Sequence, residues 1–318
     1  MITPECYFTL GTGQRVDCNR IVSLNFKATL YTPCDSLTLS IPPQTFLSPA
    51  NYLYCAITDR IIFDGIIDRQ TSVRDETGIN LITESRSRSS LMVDSQAMPA
   101  QYGIMAPNNL FMQYAQNYGV SGHDLRLVAV PLYAVGTGKS HWDVIKDFCR
   151  SAYDAKPALT ASRVLTVTPV KGTDTPKIIR NTGAGIKYTS LRFANSRYNM
   201  ISDFYVTDLE DTSSDYTINL NNSESAKYGF TRRRYFQNSY NWNALRGTAS
   251  IGKLYDTNQD QYCFTAELPG LHDIYPGDRS VLTDNMNGGM ELYVYETEIS
   301  VNNRGAFTRL KLYDQNQL

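Results

Sequence analysis

Apolar and polar residues alternate through roughly the first hundred positions. In SLNFKATL, Leu24, Phe26, Ala28 and Leu30 alternate with Asn25, Lys27 and Thr29, the period of two that gives a strand one buried face. SLTLSI repeats it with Leu37, Leu39 and Ile41, and Pro42-Pro43 stops that strand. NYLYCAITDRIIFDGIIDR supplies two strands around Asp59-Arg60, with Gly65 inside the second. A glycine within a strand marks a bulge or a sharp bend, as a small barrel needs at a corner. GINLITES follows a turn over Asp75 to Gly78. Residues 1–95 are expected to form a small antiparallel barrel or sandwich.

The middle of the chain changes period. NNLFMQYAQNYG puts Leu110, Phe111, Tyr114, Ala115 and Tyr118 on one helical face, capped by asparagines at its start and stopped at Gly119. In SHWDVIKDFC and beyond, Trp142, Ile145, Cys149 and Ala152 form one buried stripe. SRVLTVTPV returns to strand, so residues 96–184 are expected to be a small α/β domain. The last third is strand-rich again. IKYTSLRFANSRYNMISDFYVT holds two strand-like runs about a turn near Asn195. Polar loops follow, and NSYNWNALRGTASIGKLYD is weakly helical because Gly247 and Gly252 interrupt it.

The closing stretches QYCFTAELPGLHDIYPGDRSVLT, MELYVYETEISV and AFTRLKLYD read as a meander. There Thr308, Leu310 and Leu312 face one way and Arg309 and Lys311 the other. The order strand, glycine-containing turn, strand occurs from Ile61 to Thr83 and again from Met290 to Leu312, a weak internal duplication of a barrel. The expected class is mainly β with α+β insertions: two antiparallel barrel domains, 1–95 and 185–318, and a small α/β middle domain. A polar, partly helical insertion is expected over about 208–258.

Composition narrows the function classes. Across 318 residues, 30 Lys and Arg nearly cancel 31 Asp and Glu, leaving a formal charge of -1. That balance argues against a chain held to a polyanion by bulk charge, so no specific nucleic-acid partner is expected. Cys6, Cys18, Cys34, Cys55, Cys149 and Cys263 lie far apart with no Cys-x-x-Cys, which leaves reduced thiols as the plainer expectation over zinc ribbons or redox motifs. The opening MITPECYFTLGTGQRVDC has neither a basic start nor an apolar core, so no secretory signal is expected. No run of about 18 apolar residues exists to anchor the chain in a membrane. Twenty-two tyrosines suit surfaces that bury against partners, since each offers apolar area with a polar tip.

Four stretches carry candidate chemistry. VGTGKSHWDVIKDF has the glycine-lysine-serine of a phosphate-binding loop, but G-x-x-x-x-G-K-[ST] requires glycine five residues before Gly138, and Tyr133 stands there. The alternative is a helix start: Ser140 as N-cap, Asp143 completing a capping box, and Gly136 and Gly138 turning the chain. ELPGLHDIYPGD gathers Glu267, His272, Asp273 and Asp278, yet Pro269-Gly270 and Pro276-Gly277 read as two turns flanking a short connection. His123, His141 and His272 do not pair at metal-ligand spacing. Asp208, Glu210, Asp211 and Asp215 lack the central glycine and terminal glutamate of a calcium loop. TRRRYF, with Arg232, Arg233, Arg234, Tyr235 and Phe236, is a stacking and charge candidate for nucleic acid, set against a solvated or interface face. No catalytic set, cofactor site or metal site is expected.

Three of these pieces also carry a family resemblance. IIFDGIIDR (Ile61 to Arg69) resembles the Phe-x-Gly strand core of baseplate hub proteins of contractile phage tails and related injection systems. SHWDVIKDFC (Ser140 to Cys149) resembles their Ser-x-Trp-x-Val/Ile helix start. ELPGLHDIYPGD followed by ELYVYETEISVNNRGAFTRLKL resembles their closing pattern: a Pro-Gly-Asp turn and a final hairpin ending in Thr-x-Leu-x-Leu.

The resemblance, to Mu-type and T4-type hubs and the hub-like part of type VI secretion spikes, implies two tube-like barrels per chain. It also implies a homotrimer with a pseudo-sixfold ring around a channel, joining the hexameric tail tube to the trimeric spike. The partners it implies are the tail tube protein, the spike protein, other baseplate subunits and the tape measure protein. The place it implies is a virion or injection particle assembled in the bacterial cytoplasm. A rival expectation is a tail-associated peptidoglycan-binding or cell-wall-degrading protein, since Ser-His-Trp also resembles a LysM-like opening.

Overall fold

The computed structural model describes residues 4–42, 49–57, 60–76, 78–169, 175–207, 216, 218–229, 231–237, 261–284 and 288–314. The acidic group Asp208, Glu210, Asp211 and Asp215, the stretch containing Gly247 and Gly252, and Asp59 lie outside them.

The alternating N-terminal segments form antiparallel strands. Ser23–Thr29 pairs with Ser36–Ile41, which pairs with Gly78–Ser87. The ladder continues through Arg60–Asp75, Ala50–Ile57 and Glu5–Leu10 to a short edge strand, Arg15–Asp17. Inward positions fill one core, in which Phe8, Leu37, Leu39, Ile41, Leu53 and Phe63 are fully buried. Each such side chain contributes about 1.5–3 kcal/mol relative to exposure. Gly65 is required by a close approach: a Cβ there would lie 2.2 Å from the Arg86 carbonyl oxygen and 2.5 Å from the Phe63 ring.

The C-terminal strands build a second ladder. The expected meander order is replaced: Cys263–Pro269 pairs with the last strand, Gly305–Tyr313, and not with Arg279–Asp284, which follows it in the chain. The cause is the intervening connection, whose Leu271 and Tyr275 dock into the N-terminal core and carry the chain across. Lys177–Arg180 runs parallel to Arg279–Asp284, and Ser190–Ala194 forms the edge beside Cys263–Pro269. The inward set Phe264, Ala266, Leu268, Leu292, Val294, Leu310 and Leu312 makes a separate core.

One strand joins the two ladders. The first half of Gly288–Asn302 pairs with Arg279–Asp284 and the second half with Ser23–Thr29, while Gly305–Tyr313 accompanies its other side. The register slips between Val294 and Glu296. Such a bulge adds one residue and bends the strand. It also switches inward parity: Leu292 and Val294 face the C-terminal core before it, and Ile299 faces the N-terminal core after it. Among the described residues the result is one continuous 13-stranded sheet running from Arg15–Asp17 to Ser190–Ala194, and no pairing closes either half into a barrel. Mainly antiparallel β architecture is therefore observed, whereas the expected pair of closed barrels is not formed by these pairings, because the shared strand extends each half into the other. Both long hairpins, Arg60–Asp75 with Gly78–Ser87 and Gly288–Asn302 with Gly305–Tyr313, carry a register slip in their first strand.

Between these ladders, Met92 to Leu165 build their own core. It packs helices Pro107–Tyr114 and His141–Tyr153 against the paired strands Ala100–Met105 and Val130–Val135, with Gly122–His123, Ala158–Leu159 and Val164–Thr166 completing it. The first helix starts one residue before the expected asparagine caps, at Pro107 after Ala106, where a missing N–H costs nothing. It ends through a 3-10 turn at Gly119, which is left-handed (φ 74°). A third small sheet, Asp203–Thr207 flanked by Ile218–Asn221 and Arg233–Gln237, stands apart from the 13-stranded one.

Candidate functional site

The GTGKS stretch folds as a helix start that uses up its own polar groups. Ser140 is the N-cap of His141–Tyr153; its Oγ accepts from the Asp143 N–H at 3.1 Å, and Asp143 Oδ2 accepts from the Ser140 N–H at 3.2 Å. Burial alone would raise the Asp143 pKa, but hydrogen bonds from Lys146 and Ser140 outweigh it and hold it at about 2. Lys139, the residue a phosphate would need, pairs with Asp147 at 3.1 Å. The Lys139 carbonyl accepts from the Ala97 N–H, and the His141 N–H donates to Ser95. Tyr133 is fully buried, and its hydroxyl donates to the Val144 carbonyl at 2.7 Å. The glycine position of a phosphate cradle is thus filled by Tyr133, and the Ser140 and His141 amides are already engaged.

The second candidate disperses. Glu267 lies on Cys263–Pro269 and pairs with Arg309 at 3.2 Å. The His272 ring contacts the Pro269 carbonyl at 2.9 Å, and the His272 backbone N–H donates to Thr308 Oγ1 at 3.1 Å. Asp273 pairs with Arg60 at 2.5 Å. Asp278 accepts from the Tyr275 N–H at 3.0 Å, and burial raises its pKa. Four residues within the short stretch 267–278 therefore have four separate assignments. His123 contacts Asn108 at 2.8 Å and packs on Phe111, while His141 sits edge-on to Tyr114 and Tyr118. Among the described residues no group of three or more His, Cys, Asp or Glu is placed to hold a metal ion.

The TRRRYF stretch divides its roles. The Arg232 guanidinium donates to the carbonyls of Arg197, Tyr198 and Met200, closing the loop before Asp203–Thr207. Arg233 lies 3.8 Å from Asp203. Tyr235 stacks on Tyr205 and Phe236 on Phe204 across paired parallel strands. The aromatic residues are thus engaged within the small sheet.

What the sequence did not reveal is a junction where all three parts of the chain meet. Asp35, from the loop after Ser23–Thr29, is 2% exposed. It accepts from Arg163 of the middle unit at 2.7 Å and from the Tyr275 hydroxyl of the C-terminal connection at 2.7 Å. Burial first, and then the Asp35 charge, push the Tyr275 hydroxyl well above its ordinary pKa, so it stays a donor. Nearby, Gly277 is left-handed (φ 97°), and a Cβ there would meet the Pro169 carbonyl oxygen at 3.0 Å and Leu30 at 3.5 Å. A lone Asp before a strand, an Arg in a turn and a Tyr between two Pro-Gly pairs give no joint pattern in one dimension. The only sequence signal was the positive-φ preference of Pro276-Gly277 itself.

With this architecture in place, its likeness to solved structures is informative. The fold is that of phage and prophage tail proteins and of a related type VI secretion component. A tail protein from Neisseria meningitidis matches at TM-score 0.78 and 16% identity, over 98% of this chain and 96% of that one. A prophage MuSo2 tail protein from Shewanella oneidensis matches at 0.73 and 13%, over 98% of both chains. An E. coli component of the type VI secretion system matches at 0.61 and 9%, over 93% of this chain and 74% of that one. No protein-family model matches the chain, and no curated protein matches it in sequence. Among the described residues no helix is long and apolar enough to cross a membrane.

Proposed function

We propose that this chain is a structural tail protein acting as a baseplate hub: a homotrimer whose ring joins a hexameric tail tube to a trimeric spike around a channel. The observation that carries the reading is the likeness in fold to tail proteins over nearly the whole chain, at 98% coverage for both the Neisseria and the Shewanella protein. The shared strand Gly288–Asn302 and the Asp35 junction support it, because an adaptor between two symmetries must hold its repeated parts in fixed relation. In this reading residues 1–95 and 185–318 are the two tube-like units, related by an old duplication of the bulged hairpin, and 96–184 is an outlying α/β unit. Its role is geometric and not catalytic. Its partners are further copies of itself, the tube and spike proteins, other baseplate subunits and the tape measure protein, within a virion or injection particle assembled in the bacterial cytoplasm.

Light scattering on the purified chain over a wide concentration range, with electron microscopy of particles assembled with tube and spike proteins, tests this. A trimer and a threefold ring beneath a sixfold one are expected. A chain that stays monomeric at high concentration and is missing from that ring overturns it.

A further inference from the structure

Three cysteines scattered in the sequence stand in one row across three neighbouring strands. Cys6, on Glu5–Leu10, has Cys55 of Ala50–Ile57 as its register partner on one side. On the other, the pairing of Tyr7 with Asp17 continues to Cys18, whose N–H donates to the Cys6 carbonyl at 2.9 Å. In an antiparallel ladder a residue turns its N–H and C=O toward the same neighbour. Cys6 therefore directs its backbone hydrogen bonding at Cys18 and away from Cys55. That makes Cys6 and Cys55 a non-hydrogen-bonded pair, in which Cα atoms approach to about 4.5 Å and side chains lie closest. The spacing falls within the ~4.4–6.8 Å that a disulfide spans. Cys6 and Cys18 face each other as a wider, hydrogen-bonded pair, about 5.5 Å apart.

The side chains agree with the backbone. Cys6 and Cys55 are both buried in the N-terminal core, where their thiols are neighbours. Both also line, with Cys18, a cleft of about 720 Å³ bordered by Arg15, Tyr54 and Ile61. The row is thus packed within the core yet reachable by a small reagent from one side.

We propose that Cys6 and Cys55 are a disulfide-forming pair, an oxidation site that staples the first strand to its neighbour when the protein meets a small-molecule disulfide. The thiolate of one cysteine attacks a sulfur of the oxidant R–S–S–R, forming Cys–S–S–R and releasing one R–S⁻. The thiolate of the other attacks the protein sulfur of that mixed disulfide and expels the second R–S⁻. The two cysteine protons end on two molecules of R–SH, and the two electrons reduce the oxidant. The neighbouring Cys55 thiol and burial hold the Cys6 thiol well above its ordinary pKa, and burial pushes Cys18 up to about 12. The reduced row is therefore slow to react and needs an excess of oxidant. The inference is independent of the tail reading.

The test incubates the whole chain with glutathione disulfide, blocks remaining thiols after denaturation, and maps unreduced peptides by mass spectrometry. The expected product is a Cys6–Cys55 linked peptide lighter by two hydrogens, with a thermal midpoint raised by several degrees and restored by reductant. Cys18→Ser should retain the link and Cys55→Ala should lose it. A Cys6–Cys18 link, a link between chains, full alkylation of Cys6 and Cys55 after oxidation, or loss of the link in Cys18→Ser would overturn the proposal. The wild-type map decides the matter even where a variant fails to fold.

Discussion

The helix start at 136–143 and the connection at 267–278 look alike in sequence: glycine turns, a charged residue, a histidine and an aspartate. The structure spends their polar groups at different ranges. At the helix start, Ser140 and Asp143 bond each other, and Lys139 reaches Asp147 on the next turn. In the connection, Asp273 reaches Arg60, Tyr275 reaches Asp35, and His272 leans on Thr308. The first is a self-contained cap and the second a fastening between distant parts. A polar cluster in sequence therefore points to a site only when its groups remain unspent once the chain has folded.

The contrast breaks first at the fastening. Asp35→Ala leaves the partly buried Arg163 charge without this counter-ion and the buried Tyr275 hydroxyl without its acceptor, and is expected to cost about 3 kcal/mol in urea unfolding. A loss under about 1 kcal/mol would show that the junction is ornamental. Two glycines of similar backbone sharpen the point. Gly277→Ala meets the Pro169 carbonyl as well as an unfavourable φ, whereas Gly138→Ala (φ 81°) meets open space. The second should cost about 1–2 kcal/mol, the backbone term alone, and the first clearly more; equal midpoints would remove the steric argument.

At the cap, Ser140→Ala should cost about 1 kcal/mol and lower the thermal midpoint without altering the fold. The paired Asp143 carboxylate adds a pH signature. Its folded pKa of about 2 lies below its ordinary 3.8, so its stabilisation is present above that ordinary value and fades as pH falls toward 2. An Asp143→Asn variant should flatten that limb of the acid-unfolding curve. The smallest effect belongs to Lys139→Ala, expected within about 1 kcal/mol because its ion pair is half exposed. ATP should leave the thermal midpoint of both proteins unchanged; a nucleotide-dependent rise lost on removing Lys139 would restore the phosphate reading.

How much was legible follows the same division by range. The alternation at Leu24, Phe26, Ala28 and Leu37, Leu39, Ile41 placed the strands, and Trp142, Ile145 and Cys149 placed the helix face, because period and burial are local physics. The cap was legible from Ser140 and Asp143, three residues apart. Strand order was not: nothing in Cys263–Pro269 announces that it will pair with Gly305–Tyr313 and not with the strand that follows it. The Asp35 junction and the cysteine row were hidden for the same reason, since their members sit tens to hundreds of residues apart.

The bulge between Val294 and Glu296 has a mechanical meaning. A tension drawing the two ends of the molecule apart is not borne by a side-chain interface that peels one contact at a time. It runs along an unbroken backbone through Gly288–Asn302 and loads the ladder hydrogen bonds on both flanks in shear, many at once.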